Sequence, residues 1–289
     1  MTDLEARFRA EADAFRLADH APDDTAGLEK QDAEPRREAD LARLQELQEA
    51  LYAEGGRALL VVFQALDAAG KDGTIEHVMR GVNPQGVRVT SFKAPSSLEQ
   101  AHDFLWRCQL ALPRRGEIGI FNRSHYEEVL AVRVHPDFLA GQGIDPARAA
   151  DPAFWDERCA AIADWEAHLA RNGTRVVKFF LHVSKGEQRK RFLARAEEPD
   201  KHWKFNANDV RERAHWDAYQ AAYGAAIAAT STSEAPWYVI PADHKWLMRT
   251  AVAQIVVHHL EAMDPRYPQP DAEAQAAMEQ AVAELRDEG

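Results

Sequence analysis

The segment ALLVVFQALDAAGKDGT, residues 58–74, joins a nearly continuous apolar run to a loop of small residues and then to the start of a helical pattern. Ala58–Ala65 has the composition of a parallel strand buried on both faces. Gly70 and Gly73 flank Lys71 just where a helix over 73–80 is predicted. A strand, a glycine loop and a helix in that order make an anion cradle from backbone N–H groups and a helix N-terminus, with the lysine adding a point charge. The match to the phosphate-loop pattern G-x-x-x-x-G-K-[ST] is incomplete. Ala65 stands where the first glycine would be, and Asp72 where a hydroxyl would be. Ala69, Gly70, Asp72, Gly73 and Thr74 are the expected phosphate contacts around Lys71. A plain βα turn would also need glycine, but it would leave Asp67 and Lys71 converging on one loop without a reason. Asp67 is a candidate to hold Mg²⁺ or to orient an attacking phosphate; its bland alternative is a turn-forming Asp bonded to its own backbone.

Outward from this loop, strands and helices alternate. Further strands are expected at 86–92 (GVRVTSF), 117–121 (EIGIF), 175–183 (RVVKFFLHV) and 236–242 (PWYVIPA). Before the first strand, Leu41, Leu44, Leu47 and Leu51 recur at helical spacing and Gly55-Gly56 ends the run. Ser96 and Glu99 form a capping-box pattern opening a helix towards Leu110. Residues 137–160 read as an insertion, 164–174 as a helix, 184–196 as a basic helix, 209–230 as a long helix and 245–263 as the last core helix. Five strands separated by helices imply an α/β fold: a five-stranded parallel sheet with helices on both faces.

In such sheets ligands bind beyond the carboxyl ends of the strands. The second strand ends at Lys93, a further phosphate contact. The third ends at Asn122-Arg123-Ser124-His125-Tyr126-Glu127. Arg123 could neutralise charge on a transferring group or be a surface ion-pair residue. Glu127 could contact a nucleotide or merely open a helix, and Asn122 and Tyr126 stand beside it as candidate nucleotide contacts. His125 is assigned no role. Residues 184–204 carry Lys185, Arg189, Lys190, Arg191, Arg195, Lys201 and Lys204 against four acids. Lys185/Arg189 and Arg191/Arg195 each share a helix face. The segment reads as a basic lid over a many-phosphate substrate, or else as a solvated charged helix.

The net charge of −12 is unevenly spread. Residues 1–50 carry −7 and residues 261–289 carry −6, so residues 51–260 hold +1. The acidity therefore sits in the terminal segments and leaves room for a local basic field in the middle. No apolar run reaches membrane-spanning length, and the acidic N-terminus lacks the apolar core of a signal peptide. Two isolated cysteines make neither a disulfide framework nor a zinc site, so a reducing cytoplasm is expected. No aromatic–basic interleaving points to nucleic acid.

The stretches 66–96, 116–130, 179–195, 201–223 and 235–249 together resemble the polyphosphate kinase 2 family, and FNRSHYEE resembles its class III subgroup in particular. The resemblance covers roughly residues 40–262. It implies a P-loop kinase fold similar to thymidylate kinase, with residues 1–39 as an acidic N-terminal arm, 40–262 as the kinase domain with its lid at about 184–208, and 263–289 as an acidic tail. It implies inorganic polyphosphate as donor, AMP, ADP and other nucleotides as acceptors, Mg²⁺ or Mn²⁺ as cofactor, and a homo-oligomer, dimer or tetramer. Asp67, Gly70, Lys71 and Arg123 carry over as the transfer centre, and the lid cations as polyphosphate contacts. An ATP-dependent nucleotide kinase on the same scaffold and a non-catalytic polyanion-binding module are the alternatives.

Overall fold

The computed structural model describes residues 3–288; residues 1, 2 and 289, at the ends of the two acidic segments, lie outside the described residues. Five parallel strands, β1 (Ala58–Gln64), β2 (Val87–Ser91), β3 (Ile118–Asn122), β4 (Thr174–His182) and β5 (Trp237–Pro241), form one sheet in the order β2-β3-β1-β4-β5. Every residue of β1 is buried, and alternation divides them between two cores. Leu59, Val61 and Phe63 pack against Leu41, Leu44 and Leu51 and against Ala251, Val252 and Ile255 of the helix Lys245–Met263. Leu60 and Val62 pack with Cys159 and Ile162 of the helix Pro152–Arg171 and with Ala226 and Ile227 of the helix Trp216–Thr230. The helices therefore cover both faces, as the apolar strands require. No helix among the described residues is long and apolar enough to cross a membrane.

The chain leaves β1 for β2 on one side and leaves β3 for β4 on the other. The crevice between β1 and β3, where Phe63 pairs with Asn122, is thus the topological switch point that favours ligand binding.

Helix boundaries differ from the expectations where side chains compete with the backbone. The first long helix is Lys30–Glu54. It starts eleven residues before Leu41, the first residue of the apolar repeat, and accommodates Pro35 in its second turn. The arm–domain boundary expected at 39/40 falls within this helix. The capping box at Ser96 and Glu99 is present, yet its helix spans only Ser97–Gln100. The Asp103 carboxylate then accepts the Leu105 N–H at 2.9 Å and restarts the chain as Trp106–Leu110. Asp151 caps a helix that opens with Pro152, so the helix expected at 164 begins twelve residues earlier. The long helix expected from Asp209 is interrupted by a tight turn at Arg213–His215.

The N-terminal segment is not a free arm. Leu4 and Phe8 are buried in the core, and Ala10 N–H donates to the Trp237 carbonyl at 2.9 Å. Arg9 bridges Tyr238 in the antiparallel sense, which covers the open edge of β5. The tail helix Ala272–Asp287 buries no residue.

Candidate active site

The loop after β1 is held in an unusual backbone path. Ala68 and Gly70 have φ of 61° and 112°. A Cβ on Gly70 would meet the Met248 methyl at 3.1 Å, so both conformation and space call for glycine there. Gly70 is the N-cap of the helix Lys71–Val78 and offers no side chain. The first-turn N–H groups of that helix therefore remain available to an anion. The lid helix, Lys185–Glu197, grips the loop from outside. Gln188 Nε2 donates to the Asp67 carbonyl at 2.9 Å. Arg191 donates to the carbonyls of Ala68 (3.2 Å), Ala69 (2.6 Å) and Ala242 (2.6 Å), while its Nε bonds Glu187 at 2.9 Å. The lid thus satisfies loop carbonyls.

Lys71 is buried and its Nζ donates to the Ala65 carbonyl at 2.7 Å. Burial, followed by the neighbouring Arg123 charge, lowers its pKa to about 8. Arg123 ends β3 with φ 63°, a left-handed conformation that few non-glycine residues adopt, and its N–H donates to the Phe63 carbonyl at 3.0 Å. Its Nη2 meets Asp67 Oδ1 at 2.6 Å. Burial works against the Arg123 charge, but Glu127 and Asp67 outweigh it and raise the pKa. Asn122 Nδ2 donates to Asp72 Oδ1 at 2.6 Å, tying the β3 end to the phosphate loop.

Two clefts open here and share a wall. The first, of about 780 Å³, is basic. Gly70, Lys71, Gly73, Asn122 and Lys93 line one side, and Arg195, Lys201 and Lys204 the lid side. The second, of about 710 Å³, is walled by Phe92, Leu130, Phe138, Trp216 and Tyr219, with Arg107, Glu127 and Glu212 among its polar groups. Asp67, Lys93, Arg123 and Asp209 line both. Burial, then the Asp67 charge, raises the Asp209 pKa, so two carboxylates face each other across the junction.

Several expected contacts lie elsewhere. Tyr126 is fully buried. Its hydroxyl lies 3.0 Å from Glu166 Oε1 and from Thr230 Oγ1 and accepts from Lys178 Nζ at 3.0 Å. Lys178 also pairs with Glu166. The phenol is thus spent inside the protein and is unavailable to a nucleotide. His125, whose pKa burial lowers, lies 3.2 Å from Glu166 Oε1 in the same network. Together these bonds anchor the turn that presents Arg123 and Glu127. Ala69 and Thr74 are also buried; the Thr74 hydroxyl donates to the Gly70 carbonyl at 2.9 Å, so it stabilises the helix start and does not line either cleft. Asn122 lines the basic cleft, where it was expected beside the nucleotide. Among the lid cations, Lys185 lies over the Trp216 ring, Lys190 pairs with Glu187 at 3.6 Å, and Arg189 is exposed; none of the three lines a cleft. Arg191 donates to the loop backbone and also lines the basic cleft.

The reading of the residues missed Asp209, and it missed Lys245 and Arg249 on the far side of the basic cleft. The signal for the last two was position: both follow the carboxyl end of β5.

Comparisons with known proteins bear on this pair of clefts. The family described as Polyphosphate kinase 2 matches residues 27–268. An ADP-polyphosphate phosphotransferase of Rhodopseudomonas palustris is 53 % identical over 227 residues, 78 % of each chain. An AMP/ADP-polyphosphate phosphotransferase of Meiothermus ruber is 48 % identical over 268 residues, 92 % of this chain and 96 % of the relative. The crystal structure of polyphosphate kinase 2 from Arthrobacter aurescens TC1 superposes with a TM-score of 0.88 at 41 % identity, covering 97 % of both chains.

Proposed function

This chain belongs to the polyphosphate kinase 2 family, and from that premise we propose how its two clefts divide the work. It is a phosphotransferase of P-loop kinase fold that phosphorylates nucleotides with polyphosphate. In our reading the basic cleft takes the polyphosphate, and the partly apolar cleft takes the nucleotide, AMP or ADP. The observation that carries this division is the shared wall: Asp67, Lys93, Arg123 and Asp209 are the side chains both ligands would meet.

The attacking group is a terminal phosphate oxygen of the nucleotide, largely ionised near neutral pH. It needs no strong base. The new phosphoanhydride forms as the terminal polyphosphate anhydride breaks, so the reaction runs in both directions. Lys71 and the helix N–H groups hold the transferring phosphate, and Arg123 screens charge on its oxygens. Glu127 and Asp67 keep the Arg123 guanidinium charged and oriented.

Mg²⁺ (or Mn²⁺) suits the junction. Among the described residues no three His, Cys, Asp or Glu side chains form a closed metal cage. Magnesium commonly takes one or two carboxylates and completes its shell with substrate phosphates and water. Asp67, with Asp209 across from it, would supply the carboxylates, and the bound ion would neutralise phosphate charge. The free thiols Cys108 and Cys159, both buried, accord with a cytoplasmic setting. A homo-oligomer, dimer or tetramer, accords with the exposed Met278, Val282 and Leu285 of the tail helix; solution mass measurement tests it.

The deciding assay mixes the protein with AMP or ADP, polyphosphate and Mg²⁺, with no ATP added, and follows all three adenine nucleotides over time. Newly phosphorylated nucleotide, abolished by a chelator, is the expected result. Phosphorylation that appears only when ATP is supplied would replace this reading with an ATP-dependent kinase.

A further inference from the structure

The partly apolar cleft holds a carboxylate that the transfer chemistry leaves unused. Glu212 ends the short helix Ala207–Glu212 and lines this cleft alone, whereas Asp209, on the same helix, stands on the wall that both clefts share. Residues three apart lie on one helix face, separated by about 4.5 Å along the axis. Glu212 thus stands one turn away from the junction, on the nucleotide side.

Two donors from other elements hold this carboxylate. His135, which follows the helix Ala131–Val134, places its Nε2 2.8 Å from Glu212 Oε2. The Tyr219 hydroxyl, on the helix Trp216–Thr230, donates to the same oxygen at 3.0 Å. Both side chains line the cleft. Burial, then the Glu212 charge, raises the Tyr219 pKa, so the phenol remains a donor. The other oxygen, Oε1, accepts no hydrogen bond among the described residues, and the Glu212 side chain is 27 % exposed. No Lys or Arg among the described residues pairs with it. Arg213, next in the chain, donates instead to Gln188 Oε1 at 2.6 Å and to the Lys185 carbonyl at 3.2 Å. The cleft therefore contains a charged acceptor of fixed orientation with one oxygen uncommitted.

A carboxylate repels phosphate and accepts from neutral donors. In AMP those donors are the 2′- and 3′-hydroxyls of the ribose and the exocyclic amine of the base, and the ribose comes directly after the reacting phosphate. We propose that Glu212, held by His135 and Tyr219, accepts the ribose hydroxyls of AMP and so selects ribonucleotides as acceptors. This rests on the partly apolar cleft being the nucleotide site. Glu212 is then a binding residue, and His135 and Tyr219 are positioning residues that act through it. A site that hydrogen-bonds a substrate hydroxyl rejects an analogue without it, because the buried polar partner is left unpaired.

Steady-state rates with polyphosphate as donor are measured for wild type, Glu212→Gln and Tyr219→Phe. The acceptors are AMP, 2′,3′-dideoxy-AMP and inosine monophosphate, which lacks the base amine. In wild type, kcat/KM for the dideoxy analogue should be at least about tenfold below that for AMP. Glu212→Gln should lose about tenfold with AMP and far less with the dideoxy analogue, while the ratio of AMP to inosine monophosphate stays as in wild type. Tyr219→Phe keeps the ring and loses one donor, and should weaken the ribose preference about threefold. Equal losses on AMP and the dideoxy analogue in Glu212→Gln, or no loss on either, overturn the proposal, because Glu212 then does no more than tie its helix to the cleft wall. A lost preference between AMP and inosine monophosphate overturns it as well and puts the base amine at Glu212. So does a wild type that phosphorylates ADP but not AMP, since the position beside the junction would then hold a phosphate. These results leave the polyphosphate-dependent function standing. A wild type that phosphorylates neither nucleotide with polyphosphate overturns proposal and function together.

Discussion

Lys71 is a cation in a place that disfavours one. Burial and Arg123 bring its pKa down to about 8 from the 10.5 of a free lysine. Between those two values the unfolded chain binds the proton that the folded chain has lost, so stability rises with pH across that window. Below about pH 8 the folded protein bears the full cost of the buried charge, roughly 3 kcal/mol from a shift of that size. That cost is offset when a phosphate binds, which is the state the loop is built for. Two outcomes follow for activity. In the free enzyme, kcat/KM for polyphosphate should fall as pH rises through about 8, and the corresponding fall in kcat should lie at higher pH, because bound phosphates favour the protonated lysine. Lys71→Ala should cost at least about 100-fold in turnover and should lack that alkaline fall in whatever activity persists. Its melting temperature at pH 7 should stay close to wild type, since the variant loses an unfavourable charge along with one hydrogen bond. A variant with wild-type rates would move the chemistry away from this loop.

The lid helix shows what one element can and cannot disclose through its sequence. Its basic character and its two i,i+4 pairs, Lys185/Arg189 and Arg191/Arg195, were legible. Which pair turns inward was not, because helical period alone marks two equivalent faces. Packing decides: Phe192 and Gln188 are buried, and with them Arg191 faces the loop while Arg189 faces solvent. We therefore expect Arg191→Ala to leave the Ala68, Ala69 and Ala242 carbonyls short of donors, to lower stability by about 1–3 kcal/mol and to cut activity at least about tenfold as the loop loses its shape. Arg189→Ala should change neither, and thermal melts with rate measurements on the two variants check the assignment. The strands were legible for the opposite reason, since an apolar run such as LLVVF has one stable place, between two helical layers. Tyr126 was misplaced because its partners Glu166, Lys178 and Thr230 come from three distant elements, and no local pattern records that pairing. Lys245 and Arg249 carry no motif of their own, and only the strand order shows that the end of β5 faces the loop of β1.

At the scale of the whole molecule, the two acidic ends look alike in composition and differ in what they bury. The C-terminal helix buries nothing, whereas the N-terminal segment places Leu4, Phe8, Ala10 and Leu17 in the two cores. Polar bonds fix the segment as well: Leu4 N–H donates to Gln254 Oε1 at 3.1 Å, and the Tyr238 hydroxyl donates to Glu5 Oε1 at 2.6 Å. Tyr238 sits on the edge strand and Gln254 on the last core helix, so the segment clamps the side of the sheet farthest from β2. Burial of each large apolar side chain contributes about 1.5–3 kcal/mol, a large share of the stability of a domain of this size. Deleting the first 20 residues should therefore lower the melting temperature by many degrees and uncover the β5 edge, which light scattering would report as aggregation on warming. Deleting residues 268–289 removes a more acidic segment, net −5 against −2 for residues 1–20, but no core contact, and should leave the melting temperature of the subunit unchanged. If the tail helix joins copies of the chain through Met278, Val282 and Leu285, that second deletion should instead reduce the mass in solution. Equal destabilisation by the two deletions would mean that the acidic ends act through charge alone, and the clamp on β5 would be wrong.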